Sequence, residues 1–328
     1  MFDDKVSRRE VLGLMGGASL ALLHPRSAMA QPAQPIRIGF QATLASAVDV
    51  VAIEDGLYEK AKIRIEPHKF DAGRGVRDAM VAGAVDIGGM AVVPFIVGSA
   101  QREMVGVAVS SFFSGTVLLQ VKPDSPIKRV EDLRGKKIGT AVGSSTHSVL
   151  VDKVLPAFGL KKGDYEIVNI GFANLISALA SGAVDAATPN DPHAGLAEHE
   201  KLARTLVSFE KYDLMPNMLV VRAAFLRQNE AAVVNALRAW LASVRMFRED
   251  ENRFARIISR EYERQGYKLP DSVTRQVLTH IRVQPEISAE VRKYLAETAE
   301  VMKAAKQISR IPDWDEALRP DLLQKAQA

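Results

Sequence analysis

The residues best placed to do chemistry lie in Gly139-Thr140-Ala141-Val142-Gly143-Ser144-Ser145-Thr146-His147-Ser148. A β-branched stretch, a glycine turn and a run of hydroxyls lead there into an apolar helical pattern toward Leu155. A strand feeding a helix in this way brings unpaired backbone N–H groups and the positive end of the helix dipole together, and the hydroxyls add donors, so an anion can be seated without a charged side chain. Ser144 or Ser145 would equally serve as a plain N-cap, and the sequence leaves both readings open. Three more junctions share the strand-then-polar pattern. Gln41 and Thr43 follow the Ile38-Gly39 strand and are expected to face a crevice at its carboxyl end. In Asp71-Ala72-Gly73-Arg74-Gly75, Arg74 is either a two-pronged partner for sulfonate or carboxylate or a solvated surface residue. Pro189-Asn190-Asp191-Pro192-His193 offers Asn190 and Asp191 as polar contacts, or is a turn bounded by prolines.

The same inspection excludes several classes of function. There is no Cys, which rules out disulfides, thiolate metal sites, cysteine nucleophiles and a lipid-modified cysteine. No nucleophile elbow, phosphate-binding loop or zinc-protease helix motif is present, and Gly73-x-Gly75 lacks the third glycine of a dinucleotide turn. His68, His147, His193, His199 and His280 do not have the spacing of metal ligands. Neither a metal nor a cofactor is expected, and no catalysis. Charges of both signs are interspersed, with 43 Lys and Arg against 39 Asp and Glu, which argues against a nucleic-acid partner.

The elements that must position these residues alternate. Ile36–Phe40 reads as a strand, 47–61 as a helix, Ile63–Glu66 as a strand, Val76–Val81 as a helix stopped by Gly83, and Val85–Gly88 as a strand. This predicts a mostly parallel sheet with helices on both faces. About 100 residues later the pattern returns: Lys137-Ile138-Gly139-Thr140 echoes Arg37-Ile38-Gly39-Phe40, and Ser181-Gly182-Ala183-Val184-Asp185 echoes Ala82-Gly83-Ala84-Val85-Asp86. Two similar α/β lobes are expected, 31–118 with 219–328 forming the first and 119–218 the second. The strands Thr116–Val121 and Met218–Val221 would be the crossings. Apolar residues from Val233 through Trp240 to Phe247 keep helical spacing, which makes Trp240 a core residue. Residues 1–30, with Arg8-Arg9, an apolar run from Val11 to Leu23 and Ala28-Met29-Ala30, read as a cleaved export signal of twin-arginine type. An ordinary helix there would carry Gly16-Gly17 in its middle and Pro25 near its end.

Four segments resemble the substrate-binding proteins of the nitrate, sulfonate and taurine class of ABC importers: Glu54-x-Gly56-Leu57-Tyr58-Glu59-Lys60, Asp78-Ala79-Met80-x-Ala82-Gly83-x-x-Asp86-Ile87-Gly88, Asp124-Ser125-Pro126-Ile127 running into Glu131–Ile138, and Gly143-Ser144-Ser145-x-His147. The resemblance implies a type II periplasmic-binding-protein fold, in which two similar lobes joined by two hinge crossings clamp a ligand in the cleft between them. It also implies a monomeric periplasmic protein, without a lipid anchor, that delivers its cargo to an ABC permease in the inner membrane. Gly143 to His147 match the family's anion-holding turn, so Ser144, Ser145, Thr146 and His147 are carried over as ligand contacts. Asn190-Asp191-Pro192-His193 stand where the family has a Trp-acidic-Pro-Tyr segment, a departure that removes an aromatic wall. The apolar turn around Met90 places Met90 against a hydrophobic body behind the anionic head, alongside Gln41 and Thr43. A small organic anion, a sulfonate first, is the expected cargo. Nitrate, an aromatic carboxylate and a pyrimidine precursor are the alternatives, as is a periplasmic sensor subunit with the same fold. Thiamine-pyrimidine-synthesising relatives share the architecture but carry a cysteine-rich motif that this chain lacks.

Overall fold

β1 (Ile36–Gln41) lies between β2 (Ile65–Phe70) and β3 (Ile87–Ala91), parallel to both, in a computed structural model that describes residues 34–41 and 43–328. The export signal expected over residues 1–30 falls outside those residues. The helix expected over 47–61 is two helices, Ala47–Glu54 and Leu57–Lys60, because Gly56 adopts φ 62°, a left-handed turn that ends one helix and aims the next. β2 starts later than expected because Lys62 also turns through positive φ before the strand begins.

β4 (Met104–Phe112) completes the first stretch of chain. After it come β5 (Leu118–Val121), β6 (Lys137–Thr140), β7 (Glu166–Asn169), β8 (Ala186–Ala187), β9 (Arg204–Ser208) and β10 (Pro216–Arg222). They form two five-stranded sheets, β2-β1-β3-β10-β4 and β7-β6-β8-β5-β9. Each sheet has three parallel strands, then the strand that has just crossed between lobes, antiparallel to them, then an edge strand antiparallel to that one. The crossings run through 113–117 and 209–215, and β10 inserts between β3 and β4 rather than at an edge.

The internal repeat is physical. Arg37 N–H donates to Asp86 Oδ2 at 3.2 Å and Lys137 N–H to Asp185 Oδ2 at 2.8 Å. In return, the Asp86 and Asp185 amides donate to the carbonyls of Arg37 and Lys137. In lobe 1, Asp86 also takes the guanidinium groups of Arg37 and Arg222, each at 2.7 Å, and so ties β1, β3 and the end of β10 together.

The C-terminal helices close lobe 1. Ala223–Glu249, interrupted by non-helical Asn229, buries Trp240, whose indole N–H donates to Asp49 Oδ1 at 2.8 Å. Ala289–Ala304 buries Val291, Leu295, Ala299 and Met302 in the cluster that also contains Phe95 and Ile96. Asp271–Leu278 instead reaches lobe 2, with Val277 against Gly195 of the helix His193–His199. Among the described residues, no helix is long and apolar enough to cross a membrane.

Candidate functional site

The carboxyl ends of the parallel strands of both sheets meet across one cleft, the arrangement in which α/β sheets bind ligands. From lobe 1, Gln41 ends β1, Thr43 precedes the turn Leu44–Ser46, Arg74 sits in the first turn of the helix Gly73–Val81, and Pro94 in that of Val92–Ala100. From lobe 2 come Ser144, Ser145 and Thr146 after β6, Phe172 after β7, and Asn190 after β8. Together these line a small cavity, with Phe113 of the first crossing at its side. Among the described residues, its lining holds one cation, Arg74, and no carboxylate.

Two of the polar groups are held by specific partners and a third is not. Ser144 is the N-cap of Ser145–Val149: its Oγ accepts from His147 N–H at 3.2 Å and donates to the Ala141 carbonyl at 2.6 Å. The Gln41 amide nitrogen donates to Asn217 Oδ1 at 2.8 Å and toward the Gly89 carbonyl at 3.5 Å. Both of its N–H groups are thereby engaged. Asn190 is 6% exposed and its Oδ1 has no partner, so this carboxamide is desolvated without being satisfied by protein.

Three hydrogen bonds join the lobes around the cavity. Ser145 Oγ accepts from Val93 N–H at 3.1 Å, Arg74 Nη1 donates to the Val142 carbonyl at 3.2 Å, and Leu44 N–H reaches the Asp191 carbonyl at 3.4 Å. Arg74, exposed as a residue, therefore faces the cleft. The enclosed volume is about 20 Å³, room for about one water. A second chamber of about 250 Å³ adjoins it, sharing Thr43, Phe172 and Asn190 and adding Lys69, His193 and Tyr267. His193 stands edge-on to Tyr267 with ring centroids 4.4 Å apart, and burial pushes its imidazole down to about 4, so it is neutral at pH 7.

Three expected contacts lie elsewhere. Met90 is wholly buried in the lobe 1 core with Val76 and Met80; its neighbour Ala91 takes the place at the cavity wall, because successive side chains of β3 point to opposite faces. His147 turns away from the cavity. Its Nδ1 lacks a partner, and burial lowers its pKa below the usual imidazole value. Asp191 does not line the cavity either, because its side chain is fully buried on His280 Nδ1 at 2.7 Å and Gly195 N–H at 2.9 Å. That pair carries a charge balance: hydrogen bonding to Asp191 raises the His280 imidazole above its usual value, while burial pushes the Asp191 carboxyl up.

The structure also adds residues that sequence reasoning missed. The aromatic wall lost at 190–193 is rebuilt from Phe172, His193 and Tyr267. Phe172 follows a strand end, and the rule that picked out Thr43 could have found it; Tyr267 and Asn217 come from distant segments that carry no such signal.

A family model described as NMT1/THI5 like matches residues 45–252. A putative aliphatic sulfonates-binding protein of Escherichia coli (strain K12) is 32% identical over 167 residues, 50% of this chain and 51% of that protein. The taurine-binding periplasmic protein of the same organism is 29% identical over 153 residues, 46% of this chain and 47% of that one. The chain thus spans about half the length of these curated relatives. Among solved structures, the alkanesulfonate-binding protein SsuA from Xanthomonas axonopodis pv. citri bound to MOPS superposes with a TM-score of 0.77 at 24% identity, over 88% of this chain and 99% of that one. The desulfurization enzyme DSZB shares the fold at a TM-score of 0.65 and 15% identity, over 89% and 99% of the two chains, so the architecture alone does not separate binder from catalyst.

Proposed function

The chain belongs to the NMT1/THI5-like family, and on that premise we propose that it is an exported, non-catalytic solute-binding protein that captures a small organic anion for an ABC importer. The observation that carries the reading is the cleft cavity: a guanidinium, three hydroxyl side chains at a helix start and two carboxamides converge there without a single carboxylate. Such a lining favours an anion electrostatically, and Arg74, Ser145 and Thr146 supply donors that desolvated sulfonate or carboxylate oxygens need, whereas the Gln41 amide and the Ser144 hydroxyl already donate within the protein. Ser144, Ser145, Thr146 and Arg74 meet the anionic head in this reading, with Gln41, Thr43 and Asn190 around it. A sulfonate is the first choice, in keeping with the names of the relatives. Among the described residues no nucleophile–base pair lines the cavity, and His193 of the adjoining chamber is packed against tyrosines.

A specific observation favours a second reading of the cargo. The adjoining chamber, walled by Phe172, His193 and Tyr267, suits an aromatic body behind the head, as in an arylsulfonate or aromatic carboxylate. It suits nitrate poorly, which would leave the chamber unfilled. Delivery to a permease or to a membrane-bound sensor would use the same closed form.

A thermal-shift screen of residues 31–328 against alkane- and arylsulfonates, taurine, aromatic carboxylates, nitrate and pyrimidine precursors tests the reading. A ligand at about 100 times its Kd adds roughly 2.7 kcal/mol, which raises the midpoint by about 2–4 °C per kcal/mol. Ser145→Ala combined with Thr146→Ala should abolish that shift while leaving the unliganded midpoint within a few degrees. Stabilisation by uncharged analogues alone, or an undiminished shift in the double variant, would discard the anion reading.

A further inference from the structure

Behind the Ser145–Val93 contact lies a larger pocket of the opposite character. It holds about 320 Å³, within the range of small-ligand sites. One wall is the lobe 1 helix Ala289–Ala304, through Tyr294, Glu297, Val301 and Met302; the other is lobe 2, through Ser148, Val149, Asp152 and Lys153. Ser145 lines both this pocket and the anion cavity.

Two features distinguish it from an ordinary surface crevice. The segment Leu150–Val154 is a π-helical turn set between the α-helical stretches Ser145–Val149 and Leu155–Ala157, and it carries Asp152 and Lys153. Single π turns inside α-helices recur at functional sites, because the extra residue re-aims the side chains that follow. Val301 is also 56% exposed, the most of any large apolar side chain among the described residues, and it lies on the pocket's edge.

The charges decide what the pocket takes. Lys153 is consumed: its ammonium pairs with Asp213, whose side chain is fully buried and also accepts from Tyr294 Oη. Asp152 makes no hydrogen bond through its carboxylate among the described residues, and partial desolvation raises its pKa above the usual value. Glu297 has only an exposed pairing with Lys293 at 3.8 Å, a contact worth little in water. Two carboxylates therefore face an apolar floor of Val93, Val149 and Met302.

We propose that this pocket is a second small-molecule site, selective for an organic cation with a short apolar body and linked to lobe closure because its two walls belong to different lobes. The ammonium sits between Asp152 and Glu297, and the alkyl part covers Val301. The site does not depend on the anion reading, since none of its cation-binding groups lines the anion cavity.

The probe is n-butylammonium, titrated calorimetrically into residues 31–328, with n-butanol as the isosteric neutral control and n-butyrate as the anionic one. Saturable binding is expected for the ammonium, at least about tenfold tighter than for either control, a gap of about 1.4 kcal/mol. Asp152→Asn with Glu297→Gln should remove that preference. Saturating ammonium should also slow hydrogen exchange at the Val93 amide, which donates to Ser145 across the lobes. Equal binding of butanol and butylammonium, no saturable binding of butylammonium, or unchanged binding in the acidic double variant would each overturn the site. Unchanged Val93 exchange on saturation would overturn its link to closure.

Discussion

At the scale of single residues, the pair Asp191–His280 shows how a residue expected to touch cargo can be committed to holding the cleft instead. Asp191 belongs to the segment that presents Asn190, its amide donates to the Thr116 carbonyl in the first crossing, and its carboxylate is covered by His280. The imidazolium is favoured in the fold, so its stabilisation is complete below the ordinary imidazole value of about 6.5 and fades as pH rises through the raised value. The upward shift of Asp191 has the same sign, since its ionised form is the costly one. Denaturant midpoints should accordingly fall between pH 6 and pH 9 in the native chain and stay flatter in His280→Gln. His280→Ala at pH 6 should cost about 3–5 kcal/mol, the cost of stranding a buried charge. Asp86 behaves oppositely. Burial would raise it, but the hydrogen bonds from Arg37 and Arg222 hold it below the usual carboxylate value, so its contribution is lost only as pH falls through that lowered range.

At the scale of elements, caps and close approaches carry the geometry. Ser144→Ala removes the acceptor for His147 N–H and should cost about 1 kcal/mol in a urea melt. Gly88→Ala should cost more, on the order of 1–3 kcal/mol, because a Cβ there would lie 2.8 Å from the Gly39 carbonyl oxygen of the neighbouring strand and 2.7 Å from Val76 Cγ1. Much of this level was legible beforehand. The echo of Arg37–Phe40 in Lys137–Thr140 proved to be β1 and β6, held by matching Asp86 and Asp185 contacts, because a short local pattern dictated the same turn twice. The hydroxyl run after Gly143 could be read for the same reason. Met90 misled because a strand of continuous apolar residues has no alternation to say which side faces the cleft. Tyr267 and Asn217 were silent because their places depend on tertiary packing between segments far apart in the chain.

At the scale of the molecule, the proposed capture of an organic anion requires that the lobes part. A cavity of about 20 Å³ admits no organic anion in the closed arrangement, so the hydrogen bonds Val93–Ser145, Arg74–Val142 and Leu44–Asp191 around it must break for entry. Small-angle scattering should report a larger radius of gyration without cargo than with it, and Val93→Pro, which deletes the N–H donated to Ser145, should weaken the compact form. The crossings at 113–117 and 209–215 are where that motion has to be absorbed. The position of β10 between β3 and β4 has a separate consequence, for synthesis. Lobe 2 is one uninterrupted stretch and can complete its sheet as soon as β9 leaves the ribosome, whereas lobe 1 waits with a gap in its middle until Pro216–Arg222 arrives. Until then the apolar flanks of β3 and β4 present open hydrogen-bonding edges. A chain stalled just short of residue 216 is thus the form of this protein most exposed to aggregation and most in need of a chaperone.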